Sequence, residues 1–304
     1  MKTPILAAAL LFLAAIPAAA QASNGVIMVS AEQIEQIRQS ARAAQAASSR
    51  PNASKPIIAA GPYELSLEYR IGQAPASLHT GEAEMIIVLD GAGTITTGGT
   101  LVDAVAGTNG NVSGKGITGG VPQHLMKGDM LLVPQATAHL MVPDAAGPFV
   151  LATLHLPRTG EPVPTPGRAP AAPKLVHLAA DLPAMTQKAK AAVAASPRFF
   201  GGDTLLSLPP YRLGLEYRSP KAIASVHKND GEFMLVLEGE GVVVAGGTVV
   251  NPKDTGANID GDAITGGDDI RMKKGDIIFV PKGVPHLAKS DGAFVLATLH
   301  VPQP

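Results

Sequence analysis

Ser77-Leu78-His79-Thr80-Gly81-Glu82-Ala83-Glu84-Met85-Ile86-Ile87-Val88-Leu89-Asp90-Gly91 returns later in the chain as Ser225-Val226-His227-Lys228-Asn229-Asp230-Gly231-Glu232-Phe233-Met234-Leu235-Val236-Leu237-Glu238-Gly239. Ser, His, Glu and Gly hold the same places in both copies. Outward from this stretch, residues 62–101 align with 210–249 without a gap, at an offset of 148 and with 19 identities in 40 positions. Self-similarity of this extent means that two halves share one fold. One residue is then lost and the offset becomes 147, where Ile117-Thr118-Gly119-Gly120 matches Ile264-Thr265-Gly266-Gly267. Phe149-Val150-Leu151-Ala152-Thr153-Leu154-His155 and Phe294-Val295-Leu296-Ala297-Thr298-Leu299-His300 close the two halves.

The repeat reads as β structure. Tyr63, Leu65, Leu67 and Tyr69 alternate with Glu64, Ser66, Glu68 and Arg70, a period of two. Apolar runs at 85–89 and 233–237 end in Asp90-Gly91-Ala92-Gly93 and Glu238-Gly239-Glu240-Gly241; runs at 130–133 and 277–280 sit between Gly-Asp and Pro. Short strands with frequent turn signals indicate a sandwich or barrel. Each half opens with a short apolar strand, 26–29 and 175–178, followed by a helix. Ser30 with Gln33 has capping-box spacing before a helix at 34–47, and 182–194 is its counterpart. The Gly-rich stretch 107–120 reads as a surface loop.

A chain of 304 residues has room for two such domains. With 24 Lys plus Arg against 25 Asp plus Glu, and no basic run, nucleic acid is excluded as a dedicated partner. The absence of Cys removes disulfides, thiolate metal sites and cysteine nucleophiles together. Residues 1–22 read as a secretory signal peptide. Lys2 starts it, the apolar stretch 5–16 is shorter than the roughly 20 residues of a membrane span, and Ala18-Ala19-Ala20 offers cleavage before Gln21, with Ser23 as the other choice. The expectation is a periplasmic or secreted protein with no membrane anchor after cleavage. Its organisation is 1–22 signal peptide, 26–157 first domain, 158–174 linker with five Pro, and 175–304 second domain.

Among polar side chains, His79, Glu84 and His139 recur as His227, Glu232 and His286. Gly128, Pro134 and Ala136 precede His139, and Gly275, Pro281 and Gly283 precede His286 at the same spacings. Two imidazoles and one carboxylate suit a divalent first-row metal with open coordination positions (Fe, Mn, Ni, Zn or Cu), one per barrel at most. These spacings resemble the two motifs of the cupin superfamily, one with paired His, Glu and Gly, the other with Gly, Pro, Gly and His. The resemblance covers both halves and implies a bicupin: an all-β chain of two tandem jelly-roll barrels, each preceded by a short helix. Where the family places the first of its paired His, this chain has Ser77 and Ser225. Two outcomes follow: a three-ligand centre with more open positions, or a pocket that works without metal. An unpartnered buried Glu is expensive, which favours a cation beside Glu84 and Glu232. Ser77 and Ser225 share a strand face with the liganding His and would bond a substrate or a metal-bound water.

His155 and His300 are candidate acid/base groups if their strand face is the barrel interior, and solvent-facing imidazoles if it is not. Tyr63, Tyr69, Tyr211 and Tyr217 read as core packing. Glu68–Arg70 and Glu216–Arg218 read as a solvated strand edge, and Glu82, Lys228 and Asp230 as surface-loop residues. His124 and His177 fall outside the repeated set. The resemblance implies an exported metalloenzyme for a small organic acid, sugar or aromatic compound, with dioxygenases, oxalate decarboxylases and sugar isomerases as precedents. The alternative is a non-catalytic bicupin of binding or storage type. Monomer and homo-oligomer both remain open. If one barrel is idle it is the first, where Ala136 replaces the motif Gly.

Overall fold

The structure is a computed structural model that describes Ala20–Gln21 and residues 25–158, 173–195 and 200–304. The leader, apart from Ala20–Gln21, and linker positions 159–172 lie outside the described residues. Two helices, Ala31–Ala46 and Leu182–Ala195, accompany two barrels of antiparallel strands. Among the described residues no helix is long and apolar enough to cross a membrane.

The first barrel has two facing sheets. One runs, in spatial order, Val176–His177, Met130–Val133, Glu82–Asp90, Phe149–Pro157, Tyr63–Arg70 and Asn52–Ala60. The other runs Val121–Met126, Ala92–Thr97, His139–Pro143, Ala76–His79, Asn111–Gly114 and Val105–Ala106. The second barrel repeats the plan, with Asp230–Ala245 serving as one long strand in both sheets. Its partners are Ile277–Val280 and Phe294–Pro302 on one side and Asp268–Lys273 and His286–Lys289 on the other.

Alternation along the central strand divides the core. Ile86 and Val88 point into the first barrel with Ile95, Leu131, Met141 and Leu151. Met85 and Ile87, on the opposite face, pack with Leu65 and Leu154 against Leu213, Phe233, Ile277 and Leu299 of the second barrel. Both faces of the strand are therefore buried, which is why the run is continuously apolar. Gly91 and Gly239 allow the turn that follows. They hold φ values of 74° and 75°, and a Cβ at either would stand 1.9 Å from the Pro148 carbonyl oxygen or 1.8 Å from that of Ala293.

The opening strands are exchanged between the halves. Ile27–Val29 pairs with 277–279 of the second barrel, and Val176–His177 pairs with 130–131 of the first. Each helix nonetheless packs on the sheet of its own half, Ala31–Ala46 on Asn52–Ala60 and Leu182–Ala195 on Phe200–Leu208. The Ser30–Gln33 capping box is present, with Gln33 N donating to Ser30 Oγ at 3.2 Å and Ser30 N to Gln33 Oε1 at 2.8 Å. Two buried aspartates fasten the exchange. Asp276 Oδ1 accepts from Ala31 N at 2.8 Å, and Asp129 Oδ1 accepts from Ala179 N at 2.7 Å. Their second oxygens accept from Lys273 N and Met126 N, at 2.9 and 2.8 Å, so each carboxylate also closes its own turn. Tyrosines add a reciprocal pair: Tyr63 donates to the Pro302 carbonyl at 2.7 Å, and Tyr211 donates to that of Pro157.

Two expectations are corrected. The stretch 107–120 is not a plain surface loop: it supplies Asn111–Gly114, paired with Ala76–His79, and Gly116–Thr118, paired with Thr100–Val102. Glu68–Arg70 and Glu216–Arg218 are not a solvated edge. Their side chains are 18% and 11%, and 13% and 15%, exposed. Arg70 Nε donates to Glu68 Oε2 at 2.7 Å, so the pair satisfies itself where water is scarce.

Candidate metal centre

The repeated His and Glu converge at one end of each barrel interior. In the first, His79 ends one strand, Glu84 lies near the start of the central strand, and His139 opens a third. His139 Nε2 is 2.9 Å and His79 Nε2 3.7 Å from Glu84 Oε2. In the second, His286 Nε2 and His227 Nε2 are 3.0 and 3.3 Å from Glu232 Oε2. Both glutamates are buried, at 3% and 2% exposure.

Each imidazole turns its Nδ1 away from this centre. His79 Nδ1 donates to Asn111 Oδ1 at 2.6 Å and His227 Nδ1 to Asn258 Oδ1 at 2.9 Å. The Nδ1 atoms of His139 and His286 face the backbone carbonyls of Thr137 and Val284, at 3.3 and 3.0 Å. A carbonyl only accepts, so Nδ1 carries a proton and Nε2 is the atom turned to the glutamate; in the second centre the Nε2–H groups of His227 and His286 donate to Glu232 Oε2. Metal-ligating histidines are commonly held this way, with the outer ring nitrogen bonded to a fixed acceptor. Asn111 and Asn258 stand at the 147 offset of the repeat, so the alignment itself could have found them; the surrounding glycines disguised their strands.

Without an ion, the imidazoles and the carboxylate of each centre stabilise one another's charge. Burial pushes the Glu84 carboxyl up, but the imidazoles of His139, His79 and His155 outweigh it and hold it well below the usual carboxylate range. Glu232 follows the same pattern: burial is overcome by His300, His227 and His286. Burial disfavours charge on His79 and His227, yet Glu84 and Glu232 raise both above the ordinary histidine value. Glu84 Oε2 has no hydrogen bond in spite of its close nitrogen, because the approach is not aligned as one. A buried carboxylate oxygen without a hydrogen bond, with two Nε2 atoms turned to it, fits a divalent cation that would displace the Nε2 protons, and His79, Glu84 and His139 would hold it.

The last strand joins each centre. His155 lies opposite Glu84 and His300 opposite Glu232, so both share the interior face with the glutamates. Their rings stand edge-on to His79 and His227, at centroid distances of 4.7 and 4.4 Å. Ser77 lies opposite His139 and Ser225 opposite His286, as their shared face requires. Ser225 Oγ donates to Asp260 Oδ1 at 2.8 Å, whereas Ser77 faces Ser113. Glu82 is not a loop residue. It begins the central strand and lies 3.1 Å from His155 Nδ1. Lys228 pairs with Asp254 at 2.6 Å and His124 with Asp144 at 2.9 Å, both outside the centres.

No protein-family model matches the chain, and no curated protein matches it in sequence. Its backbone is similar to that of salicylate 1,2-dioxygenase from Pseudaminobacter salicylatoxidans, with a TM-score of 0.61 and 15% identity over 94% of this chain and 86% of that one. A mutant of that dioxygenase in complex with gentisate gives a TM-score of 0.61 and 13% identity, covering 94% and 84%. The coconut allergen cocosin gives 0.48 and 12%, covering 84% and 82%. Two barrels with this strand order, each carrying both motif sets on matching strands, give the chain the tandem-barrel fold of the cupin superfamily.

Proposed function

We propose that the protein is a metal-dependent bicupin enzyme, each barrel holding one divalent first-row ion on His79, Glu84 and His139 or on His227, Glu232 and His286. The observation that carries this reading is the direction of the four imidazoles. Each gives its Nδ1 proton to an outer acceptor and keeps Nε2 for the centre. An ion bound there would supply Lewis-acid or redox chemistry to a small substrate. The glutamates neutralise it from a water-poor site, and Asn111 and Asn258 keep the rings oriented. The open side, bordered by Ser77 and Ser225, receives the substrate.

A small organic acid is the substrate class we favour, with aromatic hydroxy acids first to assay, because a dioxygenase of the same fold has been captured with gentisate. Export through the leader at 1–22 belongs to the same proposal, so the ion is acquired outside the cytoplasm.

Metal content of the mature protein tests the reading. About two ions per chain are expected, with one lost in His79→Ala/His139→Ala and the other in His227→Ala/His286→Ala. A folded protein that takes up no Fe, Mn, Co, Ni, Cu or Zn overturns it and leaves a metal-free binding protein.

A further inference from the structure

The family's first motif supplies a second His two residues before His79 and His227, and this chain has serine there. Neither serine is poised to replace it: Ser225 has committed its hydroxyl to Asp260, and a neutral hydroxyl is a poor donor to a first-row divalent ion. An imidazole nevertheless stands in each centre beyond the motif set. His300 Nε2 faces Glu232 Oε1 at 3.8 Å, the glutamate oxygen that His227 and His286 leave free. Ligand atoms of His227, Glu232 and His300 all lie within 4.8 Å of one another. In the first barrel, His155 turns Nδ1 toward Glu82 Oε2 at 3.1 Å. Its edge-on stance to His79 matches that of His300 to His227, with interplanar angles of 88° and 86°.

We propose that His155 and His300 are metal ligands, each a third imidazole delivered from the last strand in place of the one that Ser77 or Ser225 does not provide. Each centre is then a three-His, one-Glu set assembled from four strands. The geometry supports ligation over proton transfer. Both residues lie in register with the buried glutamate and edge-on to the motif histidine, and in the second centre the glutamate's second oxygen faces His300 Nε2. Glu82, its carboxylate 3.1 Å from His155 Nδ1, would act as an outer carboxylate that orients the ring. This inference rests on the metal reading above.

The test uses Co(II) titration calorimetry on the full mature chain, with pulsed EPR of the Cu(II) form to count coordinated imidazole nitrogens. In the His79→Ala/His139→Ala background only the second centre reports. There His300→Ala is expected to weaken Co(II) by about tenfold or more and to remove one imidazole nitrogen. Adding Ser225→His to His300→Ala is expected to restore both, since it returns the ligand to the other strand. His155→Ala and Ser77→His repeat the pair in the His227→Ala/His286→Ala background. His300→Gln, of closer volume, guards against misfolding, and circular dichroism checks it. Unchanged affinity and nitrogen count in the His300 and His155 variants overturn this inference while leaving the metal reading intact. A wild-type chain that binds neither Co(II) nor Cu(II) overturns both.

Discussion

The two centres share His, Glu, Asn and a last-strand His, and differ at their margins. Glu82 of the first is Asp230 in the second, and Ser113 opposite Ser77 is Asp260 opposite Ser225. One methylene separates Glu82 from Asp230, and it decides a contact. Glu82 reaches His155 at 3.1 Å, whereas among the described ion pairs none joins Asp230 to His300, which faces Glu232 instead. The inner set is thus held twice by the same backbone register, while its outer supports differ. Asp260 and Ser225 bond each other beside the second centre only, giving that pocket a carboxylate that the first lacks.

The frame is where the halves should be most alike, and breaking it gives the largest effect. Gly91→Ala and Gly239→Ala each force a left-handed residue with a side chain onto a carbonyl oxygen. Each should cost about 3 kcal/mol or more in denaturant unfolding, equally for both. A large inequality would mean that the two turns are not structurally equivalent. Asp129→Ala and Asp276→Ala come next, each removing a buried acceptor for two partly buried backbone N–H groups. A loss of about 1–3 kcal/mol is expected for each. A wild-type-like stability for either would show that the exchanged strand and helix are fastened by other contacts.

The margins should respond unequally. Glu82→Gln is expected to weaken metal at the first centre by about tenfold, and Asp230→Asn to leave the second unchanged, as read by calorimetry in the single-centre backgrounds. Equal responses would break the comparison. The smallest effect concerns the tyrosines between the barrels. Burial and the neighbouring Tyr211 phenol push Tyr63 above the usual phenol range, and burial raises Tyr211. A raised folded-state value means that the folded chain keeps a proton which the unfolded chain loses above about pH 10. Their contribution is complete below that pH and is lost as pH rises through the folded values. Tyr63→Phe should therefore show a shallower alkaline fall in stability than wild type; an unchanged fall would assign it to other groups.

The repeat made the double barrel and six centre residues legible, because constant spacing on short strands places side chains on one face. Other features escaped for physical reasons. The exchanged strands are two or three apolar residues long, and two halves of one fold offer nearly equivalent edges to either. Nothing local in Ile27-Met28-Val29 says which it joins. The contact of Glu82 with His155 depends on register between residues 73 positions apart (155 − 82), which period-two reading does not supply. Asn111 sits in a stretch whose glycines mimic a loop, yet its four-residue strand is held by pairing to Ala76–His79. Glu68 and Arg70 looked solvated because charge usually is, but a mutually satisfied pair can sit where the sheet is covered.

Anomalous diffraction from crystals of the mature protein loaded with Co(II) tests the central claim most directly. The account predicts one peak in each barrel, one within coordination distance of His79, Glu84, His139 and His155, the other of His227, Glu232, His286 and His300. Peaks elsewhere on the surface, with both glutamates still turned to their imidazoles and no density between them, would contradict it.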